Sequence, residues 1–336
     1  MAKRDIAVVG GSAGSTGPLK TLLGALPADF PGSIFVTTHL SSQHESYLPE
    51  MLAQHASLPV GQATDGQAIQ AGRVYLAPRD RHLLLIDGAL RLGAGPRENM
   101  ARPAIDPMFR SAALSYGPRV VGVILSGFLN DGASGLYAIK QAGGLAVVQH
   151  PADAATGEMP HAALETVDAD YVVPAADLAG VLRDLAATDA PPAHPPPDSL
   201  AFEVEVANGG RLGSQRLSRF AEPAALTCPD CQGVLSEIRG EHPLRYRCQI
   251  GHAYTAADLA ARSELLDEAV RIAMRVMEER VELVSRMARE ARATGRRTVA
   301  ELYEARAKEY ARYAATLREA ALLSMRTARE VAEQPL

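Results

Sequence analysis

Between residue 6 and about residue 185 the chain alternates short, β-branched apolar runs with amphipathic stretches at helical spacing, and no other feature narrows its folds so far. The runs at 6–9, 34–38, 73–76, 120–125, 146–148 and 171–173 are mostly too short and too β-branched to be helices. Between them, stretches at 18–26, 47–55, 107–116, 134–142, 160–166 and 176–185 read as helices, several opened by Pro or a small polar residue. Buried strands separated by helices predict an α/β domain with a doubly wound, mainly parallel sheet. Apolar runs at 83–86 and 90–92, split by Asp87-Gly88, predict an inserted hairpin, because that dipeptide suits a two-residue antiparallel turn.

At 336 residues the chain is too long for one small core and suits two or three folded units. A net charge of -5 argues against nucleic acid as a main partner. No apolar run is long enough to span a bilayer, and the first residues enter a strand without a signal-peptide core, so a cytoplasmic protein with no membrane insertion is expected. Five prolines between Ala190 and Asp198 remove backbone donors and predict a stiff, extended linker whose ends move independently. The expected layout is an α/β domain at 1–188, a Pro-rich linker and irregular segment at 189–221, a cysteine module at 222–256, and a helical hairpin at 257–333 that breaks at Thr294-Gly295.

The first strand leads into Gly10-Gly11-Ser12-Ala13-Gly14-Ser15 and then a helix. Small residues allow a sharp strand-to-helix turn, which lifts the Ser12 hydroxyl clear of the sheet and turns the following N–H groups toward any oxyanion beside it. Taken alone, the string also describes a plain tight turn or a phosphate cradle. A dinucleotide fingerprint needs glycine where Ser12 stands, and Thr38-His39 replaces the acid expected after the second strand. No Gly-Lys-Ser/Thr follows, which excludes a P-loop.

In a parallel sheet the C-terminal ends of adjacent strands meet at one crevice, which brings His39 beside Ser12. The strand at 121–125 ends in Ser126-Gly127-Phe128-Leu129-Asn130-Asp131-Gly132 and delivers an acid to the same rim. Each residue has a plainer role open to it: Ser12 or Asp131 as a helix cap, His39 as a loop residue. Together they supply a weak nucleophile, a base and a carboxylate to orient the base, the requirements of a serine hydrolase. His44, His55, His82, His150 and His161 are rival bases, with His150, at a later strand end, the strongest.

Further motifs follow in order: Tyr75-Leu76-Ala77-Pro78, Asp80-Arg81-His82, Pro103-Ala104-Ile105-Asp106-Pro107-Met108-Phe109-Arg110, and Glu158-Met159-Pro160. With the segments around Ser12, His39 and Asp131, they resemble the catalytic domain of the chemotaxis-type protein-glutamate methylesterases, the CheB family. The resemblance implies hydrolysis of γ-glutamyl methyl esters on methylated receptors or other signalling proteins, with release of methanol, and deamidation of receptor glutamines. It also implies Ser12 as nucleophile, His39 as general base then acid, Asp131 as orienting carboxylate, an oxyanion hole from N–H groups near Ala13 and Phe128, and Met159 lining the site. Phe128 and Leu129 add bulk beside the site relative to the family's usual pattern. The receiver domain that controls such enzymes is not expected upstream of a catalytic strand that begins at once, so control is expected from a separate regulatory partner. Two other classes fit the residues: a non-hydrolytic signalling scaffold, and a serine hydrolase of a small ester or amide.

All three cysteines lie in Cys228-Pro-Asp-Cys231 and Cys248-Gln-Ile-Gly-His252, the paired-knuckle spacing of a zinc ribbon. Three thiolates and an imidazole fill a tetrahedral shell and leave no open position, so a structural zinc is expected, with His242 as an alternative to His252. A metal-free, reduced Cys-x-x-Cys is the plainer reading. The module resembles the zinc-ribbon-like tail of some stand-alone members of the same esterase family.

Overall fold

The β-branched runs form strands because both of their faces are buried. Along β1 (Ile6–Gly11), Ile6 and Val8 enter one apolar cluster while Ala7 and Val9 enter another on the opposite side. Each fully buried aliphatic side chain of this kind contributes about 1.5–3 kcal/mol. The computed structural model describes residues 2–39, 47–210, 212–261 and 264–333.

β1 is followed by α1 (Thr16–Ala25), β2 (Ser33–Thr38), α2 (Leu48–Ala53), the short β3 (Val60–Gln62) and β4 (Val74–Leu76). The hairpin of β5 (His82–Ile86) and β6 (Ala89–Gly93) comes next, its turn at Asp87 and Gly88 with φ of 50° and 76°, as the sequence predicts. Then come α3 (Ile105–Tyr116), β7 (Val120–Ile124), α4 (Ala133–Gln141), β8 (Leu145–Gln149), α5 (Glu158–Thr166), β9 (Tyr171–Val173) and α6 (Leu178–Ala186). The main sheet has the order β3-β4-β2-β1-β7-β8-β9, and every pairing in it is parallel. The chain builds outward from β1 to β2, then crosses to β7 on the other side, so the crevice outside the ends of β1, β2 and β7 is the switch point where such sheets bind ligands.

The segment read as a linker and irregular stretch is mostly neither. Residues beyond the proline run form α7 (Asp198–Ala207) and α8 (Ser214–Phe220), and Met1–Leu259 is one compact unit. Leu200, Phe202, Val204 and Val206 of α7 are all buried, and α7 packs on α3. Because this helix is enclosed on more than one side, its apolar residues do not keep to a single stripe, and the helical period was hidden. After it, β10 (Ala221–Thr227), β11 (Val234–Ile238), β12 (Arg245–Cys248) and β13 (Ala253–Thr255) form an antiparallel sheet in that order, followed by α9 (Ala256–Ala261).

A buried ionic cluster joins this sheet to the α/β core. Arg247 of β12 reaches Glu203 of α7 at 2.6 Å and Glu98 at 2.9 Å, and Arg245 reaches Glu203 at 3.0 Å. Arg110 of α3 pairs with Glu98, and all five side chains are 0–1% exposed. Burial opposes ionisation of Glu98 and Glu203, but the surrounding guanidiniums outweigh it and hold both carboxyls well below their usual range.

Ala260–Leu336 is a second unit. Its α10 (Glu264–Ala293) and α11 (Arg297–Glu333) are joined through Gly295, whose φ of 79° suits the reversal. Pairing of Arg292 with Glu304 and of Glu278 with Arg318 shows that the helices run antiparallel. Ala300, Ala307 and Ala314 are buried at heptad spacing in α11, with Ala288 and Ala291 buried in α10, so small side chains let the two backbones approach. Among the described residues, no helix is long and apolar enough to cross a membrane.

Replacing one partner of a buried charge cluster strands the others. Arg247→Met is expected to destabilise the first unit by about 3–5 kcal/mol in urea titration, whereas loss of the exposed Arg183–Asp184 pair by Arg183→Met changes stability by about 0.5 kcal/mol or less.

Candidate active site

Ser12 stands just past the end of β1, held there by its neighbours rather than by its own hydroxyl. Its N–H donates to the Ser126 carbonyl at 2.9 Å, and its carbonyl accepts from the Ser15 hydroxyl at 2.7 Å. The helix cap role is therefore not filled by Ser12, whose Oγ faces His39. Gly127 permits the approach of the β7 loop: a Cβ there would lie 2.9 Å from Ser12 Cβ and 2.0 Å from the Met159 sulfur. Gly14 has φ of 79°, and a side chain on it would meet Ser126 and Ala155.

Ser12 Oγ lies 3.1 Å from His39 Nδ1, and His39 Nε2 lies 2.7 Å from Asp131 Oδ2. Asp131 can only accept, so the ring proton belongs on Nε2, leaving Nδ1 as the acceptor for the serine hydroxyl. The Asp131 carboxylate accepts three more hydrogen bonds: from Ile105 N at 2.7 Å, Asn99 Nδ2 at 2.8 Å and Asp106 N at 3.3 Å. Its side chain is 2% exposed against 27% for His39. Burial alone would raise the Asp131 carboxyl, but the His39 ring and the N–H donors outweigh it and keep it below the ordinary carboxylate range. Burial likewise disfavours the imidazolium of His39, yet the Asp131 hydrogen bond and the charges of Asp131, Asp258 and Asp106 raise the ring above the ordinary imidazole value.

The three side chains border a cavity of about 310 Å³ lined also by Arg97, Asn99, Arg102, Phe128 and Asp258. Phe128 is 55% exposed at its lip. Ala13 is half-buried next to Ser12 in the chain, while Met159 is buried against Gly127 and is not among the residues that line the cavity. His82 is buried and donates from Nε2 to the Pro96 carbonyl, His55 bonds to the Met51 carbonyl one turn back, and His150 Nδ1 accepts from Ala152 N. None of these rings is joined to Ser12, and His44 lies outside the described residues.

Asn99 and Asp258 lie outside every motif read from the sequence, while Asp106 and Asn130 lie within such motifs, which assign them no role. Asn99 bridges Asp131 and Asp106, donating to both at 2.8 and 2.9 Å. Asp106 in turn accepts from Gly132 N at 3.1 Å and Gly135 N at 2.6 Å, and burial together with the Asp131 charge raises its carboxyl to about 7. Asn130 donates through its amide nitrogen to Asp258 at 2.9 Å and accepts from Thr255 Oγ1 at 2.8 Å. Asp258 sits in α9, and burial raises its carboxyl to about 6.

Away from the cavity, one ligand atom from each of Cys228, Cys231, Cys248 and His252 lies within 4.8 Å of the others. Cys231 and Cys248 sulfurs are 3.6 Å apart, and His252 Nδ1 is 3.7 and 3.6 Å from Cys228 and Cys248. A tetrahedron with metal–sulfur bonds of about 2.3 Å has edges of roughly 3.5–3.8 Å, so the group fits a metal ion as it stands. His242 lies edge-on to Tyr137 instead and is not in the group.

The model of the CheB methylesterase family matches residues 7–182. A protein-glutamate methylesterase/protein-glutamine glutaminase of Anaeromyxobacter dehalogenans is 40% identical over 184 residues, 55% of this chain and 54% of that protein. One from Xanthomonas euvesicatoria is 42% identical over 170 residues, 49% of this chain and 47% of that one. The chain thus spans about half the length of these two relatives. The crystal structure of the Thermotoga maritima CheB methylesterase catalytic domain superposes with a TM-score of 0.52 at 31% identity, covering 55% of this chain and all of that one. Half the chain matches the family model and a whole solved catalytic domain lies within it: the chain belongs to the CheB methylesterase family.

Proposed function

We propose that this chain is a protein-glutamate methylesterase that hydrolyses γ-glutamyl methyl esters on receptor-type signalling proteins in the cytoplasm, with Ser12, His39 and Asp131 as its catalytic triad. The observation that carries this reading is the unbroken relay from Ser12 Oγ through the His39 ring to Asp131, at 3.1 and 2.7 Å, on an open cavity. The names of the relatives support the choice of ester and extend it to glutamine side chains.

In the first half-reaction the Ser12 oxygen attacks the ester carbonyl while His39 Nδ1 takes the hydroxyl proton. The carbonyl π electrons move to oxygen, and the N–H groups of Ala13 and Phe128 are the donors proposed for that oxyanion. Collapse breaks the bond to the methoxy group, which leaves as methanol with the proton from His39. Water then attacks the glutamyl-serine ester, again giving its proton to His39, and the glutamate and free Ser12 are released. A glutamine side chain follows the same path with ammonia as the leaving group. Asp131 keeps the ring proton on Nε2 and stabilises the imidazolium at each step. For the three-thiolate, one-imidazole group we propose zinc in a structural role, since four protein ligands leave no coordination position for a substrate.

Methanol release from methyl-labelled receptor preparations tests the triad: Ser12→Ala is expected to lower turnover by at least about a thousandfold, and Asp131→Asn by about ten-thousandfold because the wrong tautomer is held. Equal release from native and Ser12→Ala chains rules the mechanism out. The pH profile of kcat/KM should fall on the acid side, where protonated His39 cannot accept, with a midpoint above the ordinary imidazole value of roughly 6.5. Asp258→Asn removes one charge that favours the imidazolium and is expected to move that midpoint down.

A further inference from the structure

We propose that the metal-binding ribbon is a positioning element of the esterase site: β13 fixes Asn99 and Asn130, and through them the Asp131 carboxylate, so that metal loading and competence of the triad are coupled. The consequence for catalysis rests on the proposed role of Asp131; the structural coupling does not.

Two tethers run from one strand. In the first, the segment bearing Asn99 adds to the ribbon sheet as a partial strand. Glu98 forms a parallel bridge with Ala253, Asn99 N donates to the Ala253 carbonyl at 2.9 Å, and Ala253 N donates to the Arg97 carbonyl at 3.4 Å. The backbone of this segment is unusual: Asn99 and Met100 are consecutive left-handed residues, with φ of 47° and 64°. They are the two corner residues of a tight turn closed by Glu98 and Ala101, which exchange backbone hydrogen bonds at 2.9 and 3.2 Å. The ribbon holds this turn in place twice, through the strand pairing and through Arg245 and Arg247, which grip the Glu98 carboxylate from β12. Asn99 then spends both hydrogens of its amide on Asp131 and Asp106.

In the second tether, Thr255 at the end of β13 donates to Asn130, the residue before Asp131, and accepts from Asp258 N at 3.1 Å. Asp258 accepts from Asn130 in turn, so the loop after β7 is fastened to the ribbon. Thr255, Asn130 and Asp258 are all buried, which leaves no water to replace a lost partner.

The metal-ligand group adjoins both tethers. His252 immediately precedes Ala253, and its carbonyl accepts from Cys248 N at 3.0 Å at the turn joining β12 to β13. Without an ion, three thiols and an imidazole packed within 4.8 Å have little to hold them together, and the turn that fixes the register of β13 loses its anchor. The path from there to Asp131 is one residue, one backbone hydrogen bond and one side chain.

The test uses the full chain, with zinc as the probe ion. After zinc removal by chelation, hydrogen exchange is expected to rise at least tenfold in segments 97–106 and 126–132, in parallel with 221–255, while β1, α1 and β2 keep their protection. Unchanged exchange at 97–106 while the ribbon opens would overturn the coupling, and so would uniform loss of protection that includes β1. Zinc-loaded Thr255→Val is expected to lower kcat at least tenfold with KM within twofold, and Thr255→Ser, which restores the hydroxyl, to recover it. Native kcat in Thr255→Val would overturn the second tether. Should the native chain release no methanol at all, the esterase reading falls, and the exchange result decides the coupling by itself.

Discussion

A single buried carboxylate organises the functional half of this molecule. Asp131 is almost wholly removed from solvent, which for an unpaired carboxylate costs several kcal/mol, and it stays ionised because four donors converge on its two oxygens. Those donors come from the loop after β2, from the turn around Asn99 and from the start of α3. The requirement to bring them together at one point constrains how the sheet, the inserted hairpin and the ribbon meet. It also fixes His39, since a ring bonded to so rigid an acceptor has one useful orientation.

The ionic cluster of Glu98, Glu203, Arg110, Arg245 and Arg247 plays a related part at larger scale. Apolar residues of equal volume would hold four segments together at least as firmly, because burying charges is expensive. What charges add is selectivity of register. Arg245 and Arg247 sit two residues apart on β12, so both point to the same face, and a slip of one residue would turn them away from Glu203 and Glu98. The register that satisfies the cluster is also the one that places Ala253 opposite Arg247 and Thr255 opposite Arg245.

The parts of this structure legible in the sequence are those written in local patterns. Six strands of the main sheet, the Asp87-Gly88 hairpin and the break at Gly295 each depend on a few adjacent residues, and each lies where the sequence predicts it. Ser12, His39 and Asp131 could be brought together on paper because a parallel sheet delivers strand ends to one rim. Glu98 and Asn99 were illegible for the opposite reason: two of the partners of Glu98 lie 147 and 149 residues away, and Asn99 meets Asp131 32 residues away. The edge strand β3 was missed because three residues carry too little pattern, and α7 because apolar and acidic residues alternate from Phe202 to Val206, a strand-like period, with Glu203 on its buried side. Thr255 and Asp258 were overlooked since the ribbon was read as a module apart, whereas it is built into the first compact unit.

The order in which these pieces occur along the polypeptide has its own consequence. The hydroxyl is supplied by residue 12, the ring by residue 39, the carboxylate by residue 131, and the last buttress of the carboxylate by residues 253 to 258. During synthesis from the N-terminus the serine emerges first, and more than two hundred further residues are added before β13 can reach the loop that carries Asp131. Under the proposed coupling, a nascent chain that already holds all three triad residues still lacks the strand that braces its carboxylate.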